Sequence, residues 1–210
     1  LVGMANLAYS AKAKLLRHIR SLDADYVLID LGAGSSYNTL DFFTLSESGI
    51  IVSTPEPHAR VDAYGFIKNS VYRKLRRHFN KNQEITDEIG AFAGKDGRKS
   101  GRVSDLIKRL AAVEAVAAME AYDLLEAYRP KLIMNRVRNR RHIEEAYRFV
   151  NLVEDYLSIR LDYVGHVRND DKILDACERR KPILLHAPKA SSSMDLYNVL
   201  MSGLHVSDRL

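Results

Sequence analysis

The chain is short of cysteine, of proline and of long apolar runs, and each shortage closes off a class of protein. A single cysteine, Cys177, excludes a disulfide framework and any cysteine-based zinc site built within one chain. No apolar stretch approaches the roughly 18–20 residues needed to span a bilayer, and no charged start followed by an apolar run marks a secretory signal. The expectation is a soluble, cytoplasmic protein. The seven histidines are scattered, with no pair at metal-ligand spacing. Ser35 and Ser36 lack the Gly-x-Ser-x-Gly elbow of a hydrolase. Neither a metal centre nor acyl transfer is expected.

What is present is enough for a real core. The 210 residues are 46% hydrophobic and 28% charged, which fits one globular domain and rules out disorder along the whole chain. The net charge of +5 is unevenly placed. Residues 68–109 hold 12 Lys/Arg against 5 Asp/Glu, whereas the remainder holds 20 against 22. The basic character therefore belongs to one segment.

Four short apolar runs read as strands buried on both faces: Tyr26–Asp30, Gly49–Ser53, Lys131–Asn135 and Leu161–Val167. Helical patterns lie before and between them, at 4–19 and at roughly 59–79, 103–128, 141–158, 170–180 and 192–202. The alternation predicts an α/β fold, a mainly parallel sheet flanked by helices on both faces. The glycine-rich stretch 80–102 reads as a mobile loop, and with its flanking helices it makes 73–128 a helical insertion within a single 1–210 domain.

In such sheets chemistry sits beyond the carboxyl ends of the strands. The turns to inspect are Asp30–Ser36, Thr54–His58, Asn135–Arg138 and Arg168–Asp171. Asp30, followed by Gly32 and Gly34, fits the acidic turn of a nucleotide triphosphatase, where the carboxylate holds Mg2+ through water and glycines admit a phosphate. A simple helix-capping turn is the alternative. Asn135 carries one donor and one acceptor that match a purine edge, or else it is a turn residue. Gly90-Ala-Phe-Ala-Gly-Lys-Asp96 superficially resembles a phosphate loop. It is one residue short, has Asp where Ser or Thr should hold Mg2+, and follows no buried strand. The basic run with Tyr72, Arg73, Lys74, Arg76, Arg77 and Phe79 could touch nucleic acid, but its aromatics one heptad apart describe a helix packing one face more simply.

Taken in order, these turns resemble those of the MinD/ParA group of deviant P-loop ATPases, nearest to its flagellar-number regulators (the FlhG/FleN type). The matching stretches are Asp25-Tyr-Val-Leu-Ile-Asp-Leu-Gly-Ala-Gly34, Ile51-Val-Ser-Thr-Pro-Glu-Pro-His-Ala-Arg-Val-Asp-Ala-Tyr-Gly-Phe-Ile-Lys68, Leu132-Ile-Met-Asn-Arg-Val137 and Leu161-Asp-Tyr-Val-Gly-His-Val-Arg-Asn-Asp170. A closing match is Arg180-Lys-Pro-Ile-Leu-Leu-His-Ala-Pro-Lys-Ala-Ser191.

The resemblance implies an ATP-binding, ATP-hydrolysing switch that uses ATP/ADP and Mg2+ and closes as a homodimer. It places Asp30 in the catalytic switch near Mg2+ with Gly34 beside it. Asn135 and Arg136 would contact adenine, and the loop of Val167, Arg168 and Asp170 would close over the base. The family's lysine-bearing phosphate loop does not occur in this sequence, and only 29 residues precede Asp30. The chain therefore resembles the C-terminal two-thirds of a member, and by itself is expected to lack turnover. The tail 202–210 has no basic amphipathic helix of the kind used on membranes. The alternative is a non-catalytic adaptor that keeps the fold and binds a protein, or less favourably nucleic acid, through the basic insertion.

Overall fold

The structure, a computed structural model, describes residues 9–24, 26–44, 49–93 and 101–201. In chain order the elements are α1 (Tyr9–Arg20), α2 (Tyr37–Phe43), β1 (Ile50–Ser53), α3 (Pro57–His78), α4 (Gln83–Ala93), α5 (Val103–Val113) and α6 (Ala115–Glu126). Then follow β2 (Lys131–Val137), α7 (Arg140–Leu157), β3 (Asp162–Arg168), α8 (Asp171–Glu178), α9 (Ile183–His186) and α10 (Ser191–Val199). The strands form one parallel sheet in the order β1-β2-β3, so β2 is central. The fold is α/β, as the alternation predicts, with a small sheet of three strands. No described helix is long and apolar enough to cross a membrane.

Register shows which helices cover which face. Ile51 pairs with Leu132 and Ser53 with Met134, and all four are buried. That face packs under α3 and α7, with Tyr147 of α7 edge-on to Tyr163 of β3 at 5.1 Å between ring centroids. The opposite face carries Gly165, whose backbone runs so close to α10 that an added Cβ would stand 2.9 Å from Val199 Cγ2. Its φ of 143° is also one that L side chains rarely adopt, so glycine is required there twice over. Helices thus flank both faces. On the α10 side the cover stops at β3, leaving Val52 of β1 61% exposed.

Three sequence expectations need correction. Tyr26–Asp30 is not a strand, and Leu28 is 88% exposed. An apolar run becomes a strand only when a neighbour takes up its backbone N–H and C=O groups, and none of the described strands pairs with it. Within the stretch 80–102 expected as a mobile loop, Gln83–Ala93 is helix, because Ile85, Ile89 and Phe92 recur on one buried face of α4. Asn82 Oδ1 accepts the Ile85 N–H at 3.2 Å and starts that helix. The single helix of 103–128 is two, broken at Glu114, whose φ and ψ of −152° and 115° are extended. The remainder of that loop, 94–100, lies outside the described residues, as do the start of the 4–19 helix and the tail at 202–210.

One buried polar knot ties the helical layer to the sheet. Tyr128, fully buried just before β2, donates its hydroxyl hydrogen to Ser70 Oγ at 2.9 Å. Ser70 in turn donates to the Ile67 carbonyl at 2.7 Å. Burial pushes the Tyr128 hydroxyl far above its ordinary value, so it remains a neutral donor. Lys74 Nζ sits 4.8 Å from the centroid of the same ring. The two halves of the knot should respond unequally. Ser70→Ala strands a buried hydroxyl and should cost about 1–3 kcal/mol, whereas Tyr128→Phe leaves Ser70 still donating and should cost about 1 kcal/mol. Urea unfolding with an unchanged slope measures both, and the reverse ranking would show that the knot is not what holds the Tyr128 hydroxyl.

Candidate functional site

Because all three strands are parallel, their carboxyl ends meet at one rim. Three loops converge there: Thr54–Glu56 after β1, Asn135–Arg138 at the end of β2, and Arg168–Asp170 after β3. Their proximity is visible electrostatically. The Glu56 carboxyl is held below its ordinary value first by the Thr54 hydroxyl, then by its own backbone N–H, and also by the charges of Arg136 and Arg138. Just behind the rim, Arg60 of α3 is paired with Glu145 of α7, and Ser53 Oγ donates to the Ala59 carbonyl at 3.2 Å. The helices leaving the rim are therefore clamped to each other and to β1.

The rim's most unusual feature is on β2. Met134 pairs with His166 and Val137 with Arg168, so two residues of β2 oppose one of β3. Asn135 and Arg136 are the bulged pair. Arg136 has a φ of 56°, a left-handed conformation in which a side chain crowds the backbone. The strain is held by ladder pairing on both sides of the bulge and by Asn135 Oδ1, which accepts the Arg136 N–H at 2.8 Å. That contact occupies the acceptor of Asn135 and leaves its amide hydrogens for another group. Arg136 is thrown outward and exposed. Strained, bulged backbone recurs where a side chain must be aimed at a ligand.

The β3 loop is built differently. Val167 is buried. Arg168 is bound to Asp195 of α10 through Nε and Nη2, both at 2.8 Å, and its backbone N–H donates to the same carboxylate at 2.9 Å. Asp170 accepts from the Lys172 N–H at 2.9 Å, capping α8, and from the Ser192 N–H and hydroxyl at 3.2 and 3.1 Å. Those hydrogen bonds, with the Lys172 N–H foremost, hold its carboxyl below the usual range. Arg168 and Asp170 are thus committed to fixing the loop's shape. Asp195 and Ser192, which set that shape, carry no signal in the sequence. They lie in a serine-rich helix whose polar side is the buried one.

The structure does not bring Asp30 into this group by strand pairing. Asp30 and Gly34 lie in an exposed stretch before α2, and Gly34 has a φ of 105° with open space where a Cβ would stand. Among the described residues no three His, Cys, Asp or Glu are placed to hold a metal. Of the sequence-derived residues, Asn135, Arg136, Val167, Arg168 and Asp170 share the rim, and Asp30 and Gly34 do not belong to the sheet.

The buried Asp195 makes the rim's integrity dependent on pH. Burial pushes its carboxyl up, but the side-chain and backbone hydrogen bonds of Arg168, with that guanidinium's charge, bring it below its ordinary value. A carboxyl lowered by folding contributes stability above its unfolded value, and that contribution is lost as the pH falls through the folded value. Asp195→Asn should therefore cost about 2 kcal/mol at neutral pH. The difference from the unmodified chain should vanish below the carboxylate range. Thermal unfolding of both across pH 2–7 tests it, and a gap independent of pH would remove the charge from the account.

No family model matches the chain. Among characterised proteins, a stretch of 44 residues is 46% identical to the flagellum site-determining protein YlxH of Helicobacter pylori. The stretch is 21% of this chain and 15% of that protein, so the similarity is partial and extends to a small share of either.

Proposed function

We propose that the carboxyl rim is the base-binding end of an adenine-nucleotide site, and that the protein is an ATP-dependent switch of the MinD/ParA kind acting in the placement or number of flagella. The observation that carries this reading is the β2 bulge. It sets Asn135, with its amide hydrogens unspent, beside an outward-aimed Arg136 at the centre of the rim. An amide donor suits a ring nitrogen of the purine edge, and a guanidinium suits the face of the ring by stacking. The partial identity with a flagellum site-determining protein gives the reading its cellular direction.

The residues present fit the base end of such a nucleotide and fit its phosphate end less well. Gly34, with a φ of 105° and open space where a Cβ would stand, and Asp30 nearby in sequence are the groups this chain would offer to phosphate and Mg2+. When bound, the ion would supply charge neutralisation at the phosphates. The sequence has no lysine-bearing phosphate loop to complement it. What the chain's own residues do is hold the base and, through the clamped rim, report its presence to α3, α7 and α10. Closure as a homodimer belongs to the same reading.

Two measurements follow. Asn135→Ala should weaken ATP binding by about 5- to 150-fold, the equivalent of 1–3 kcal/mol for an unpaired group in a partly desolvated site, and should narrow the preference for ATP over GTP. Titration of both nucleotides into the two proteins reads this, and unchanged affinity and selectivity would return Asn135 to a turn residue. Hydrolysis by the 210-residue chain should be negligible, because its sequence has no lysine-bearing phosphate loop to neutralise the β- and γ-phosphates. Turnover in the range of about 1–100 per second would mean that the phosphate site is elsewhere.

A further inference from the structure

On the outer face of α6, apolar exposure and acidic side chains coincide. The helix buries Ala117, Ala118, Ala121 and Leu125 against the core. On its other side it exposes Val116, Met119 (68%) and Tyr122, one stripe at intervals of three residues, with Val113 exposed at the break just before it. At about 100° per residue, the same arc carries Glu120, Asp123 and Glu126. Residues 111–128 contain Glu114, Glu120, Asp123 and Glu126 and no lysine or arginine. An exposed apolar stripe of this kind, flanked by carboxylates, suits a face that a partner covers.

The neighbouring groups define what could cover it. Glu120 accepts from the His78 Nε2–H at 2.9 Å, Glu114 accepts from Asn82 at 3.1 Å, and Glu126 lies 3.4 Å from Arg160. A cleft of about 240 Å³ lies between Phe79, Lys81, Ala117, Glu114 and Glu120. The Asp123 side chain has no ion pair or hydrogen bond among the described residues. A second α6 is unsuited to this face, because it would set three carboxylates against three. A basic partner is selected locally and not by the protein as a whole, whose net charge is +5.

We propose that the Val116–Met119–Tyr122 stripe of α6 is a docking surface for a basic amphipathic helix of another protein. The partner lays apolar residues spaced at three and four on the stripe and its lysines or arginines on Asp123, Glu126 and Glu120. The three apolar positions span about 9 Å of helix axis, which two to three turns of a partner helix would cover. This surface lies on the helical segment preceding β2, and it does not depend on the nucleotide reading of the rim.

The test uses the full chain and two labelled 14-residue helical peptides with leucine at matching positions, one filled with lysine and one with glutamate. Fluorescence anisotropy should show the lysine peptide binding at least about tenfold more tightly than the glutamate peptide, with an advantage that shrinks as salt is raised. The double variant Met119→Ser/Tyr122→Ser should lose about tenfold or more for the lysine peptide, as expected for central apolar anchors. Its melting temperature should be unchanged, since both side chains are already in water. Asp123→Lys should weaken the lysine peptide and improve the glutamate one. Equal binding of the two peptides, or binding that survives the double variant, would overturn the proposal. So would self-association of the chain that the double variant abolishes, which would assign the stripe to a second copy.

Discussion

Everything placed at the rim depends on β2 being paired on both sides in the same direction. Parallel pairing with β1 and β3 leaves no freedom in where the three strands end, so loops separated by tens of residues are delivered to one edge of the sheet. It also explains why the bulge at Asn135 and Arg136 is tolerated. A left-handed arginine is unfavourable by itself, and here the ladder is anchored before it by Met134 and after it by Val137. On an edge strand the same two residues could relax by slipping register. On the central strand a slip would break pairing with both neighbours at once.

The helices that shape the rim are held by polar contacts as much as by apolar packing. Arg73 of α3 grips the nearly buried carboxylate of Asp41 with Nε at 2.7 Å and Nη2 at 3.0 Å, which fixes α2 against α3. Arg60 and Glu145 do the same for α3 and α7, and Arg168 and Asp195 for β3 and α10. In each case an arginine–carboxylate pair spans two elements, two-pronged at Arg73 and Arg168 and through Nη1 alone at Arg60. Breaking one partner would leave the other desolvated and unpaired, so these links fix geometry more than they add stability. The basic composition of the segment 68–109 is partly explained in the same way, since Arg73 and Arg109 are paired with Asp41 and Glu88. This weakens any reading of that segment as a uniformly free cationic surface.

Much of the architecture was legible in the sequence because it follows from local pattern. Ile51, Leu132 and Val167 lie in short apolar runs closed by turn residues, and each became a buried strand residue in the parallel sheet expected. Tyr26–Ile29 has the same pattern and failed, because pattern records the capacity to be buried whereas a strand requires a neighbour. Asn135 could be placed at a strand end from spacing alone, but the bulge that turns Arg136 outward is a property of register between two strands and leaves no local mark. The helix at Gln83–Ala93 was obscured by the glycines that follow it. Its apolar period of Ile85, Ile89 and Phe92 was present and was the better guide.

Two helices invert the usual rule, and the inversions have different causes. In α10 the buried side is polar: Ser192, Ser193 and Asp195 face inward, while Met194, Tyr197 and Leu200 face water. There the inward groups are consumed by Arg168, Asp170 and the carbonyls of Ile183 and Ala187, so the polar side is buried because it is fully hydrogen-bonded. In α6 the buried side is alanine and leucine, already apolar and complete, and the exposed side is apolar as well. Among the described residues nothing covers that second stripe. Its composition is that of the proposed docking surface, and the carboxylates spaced along it suit a partner of positive charge.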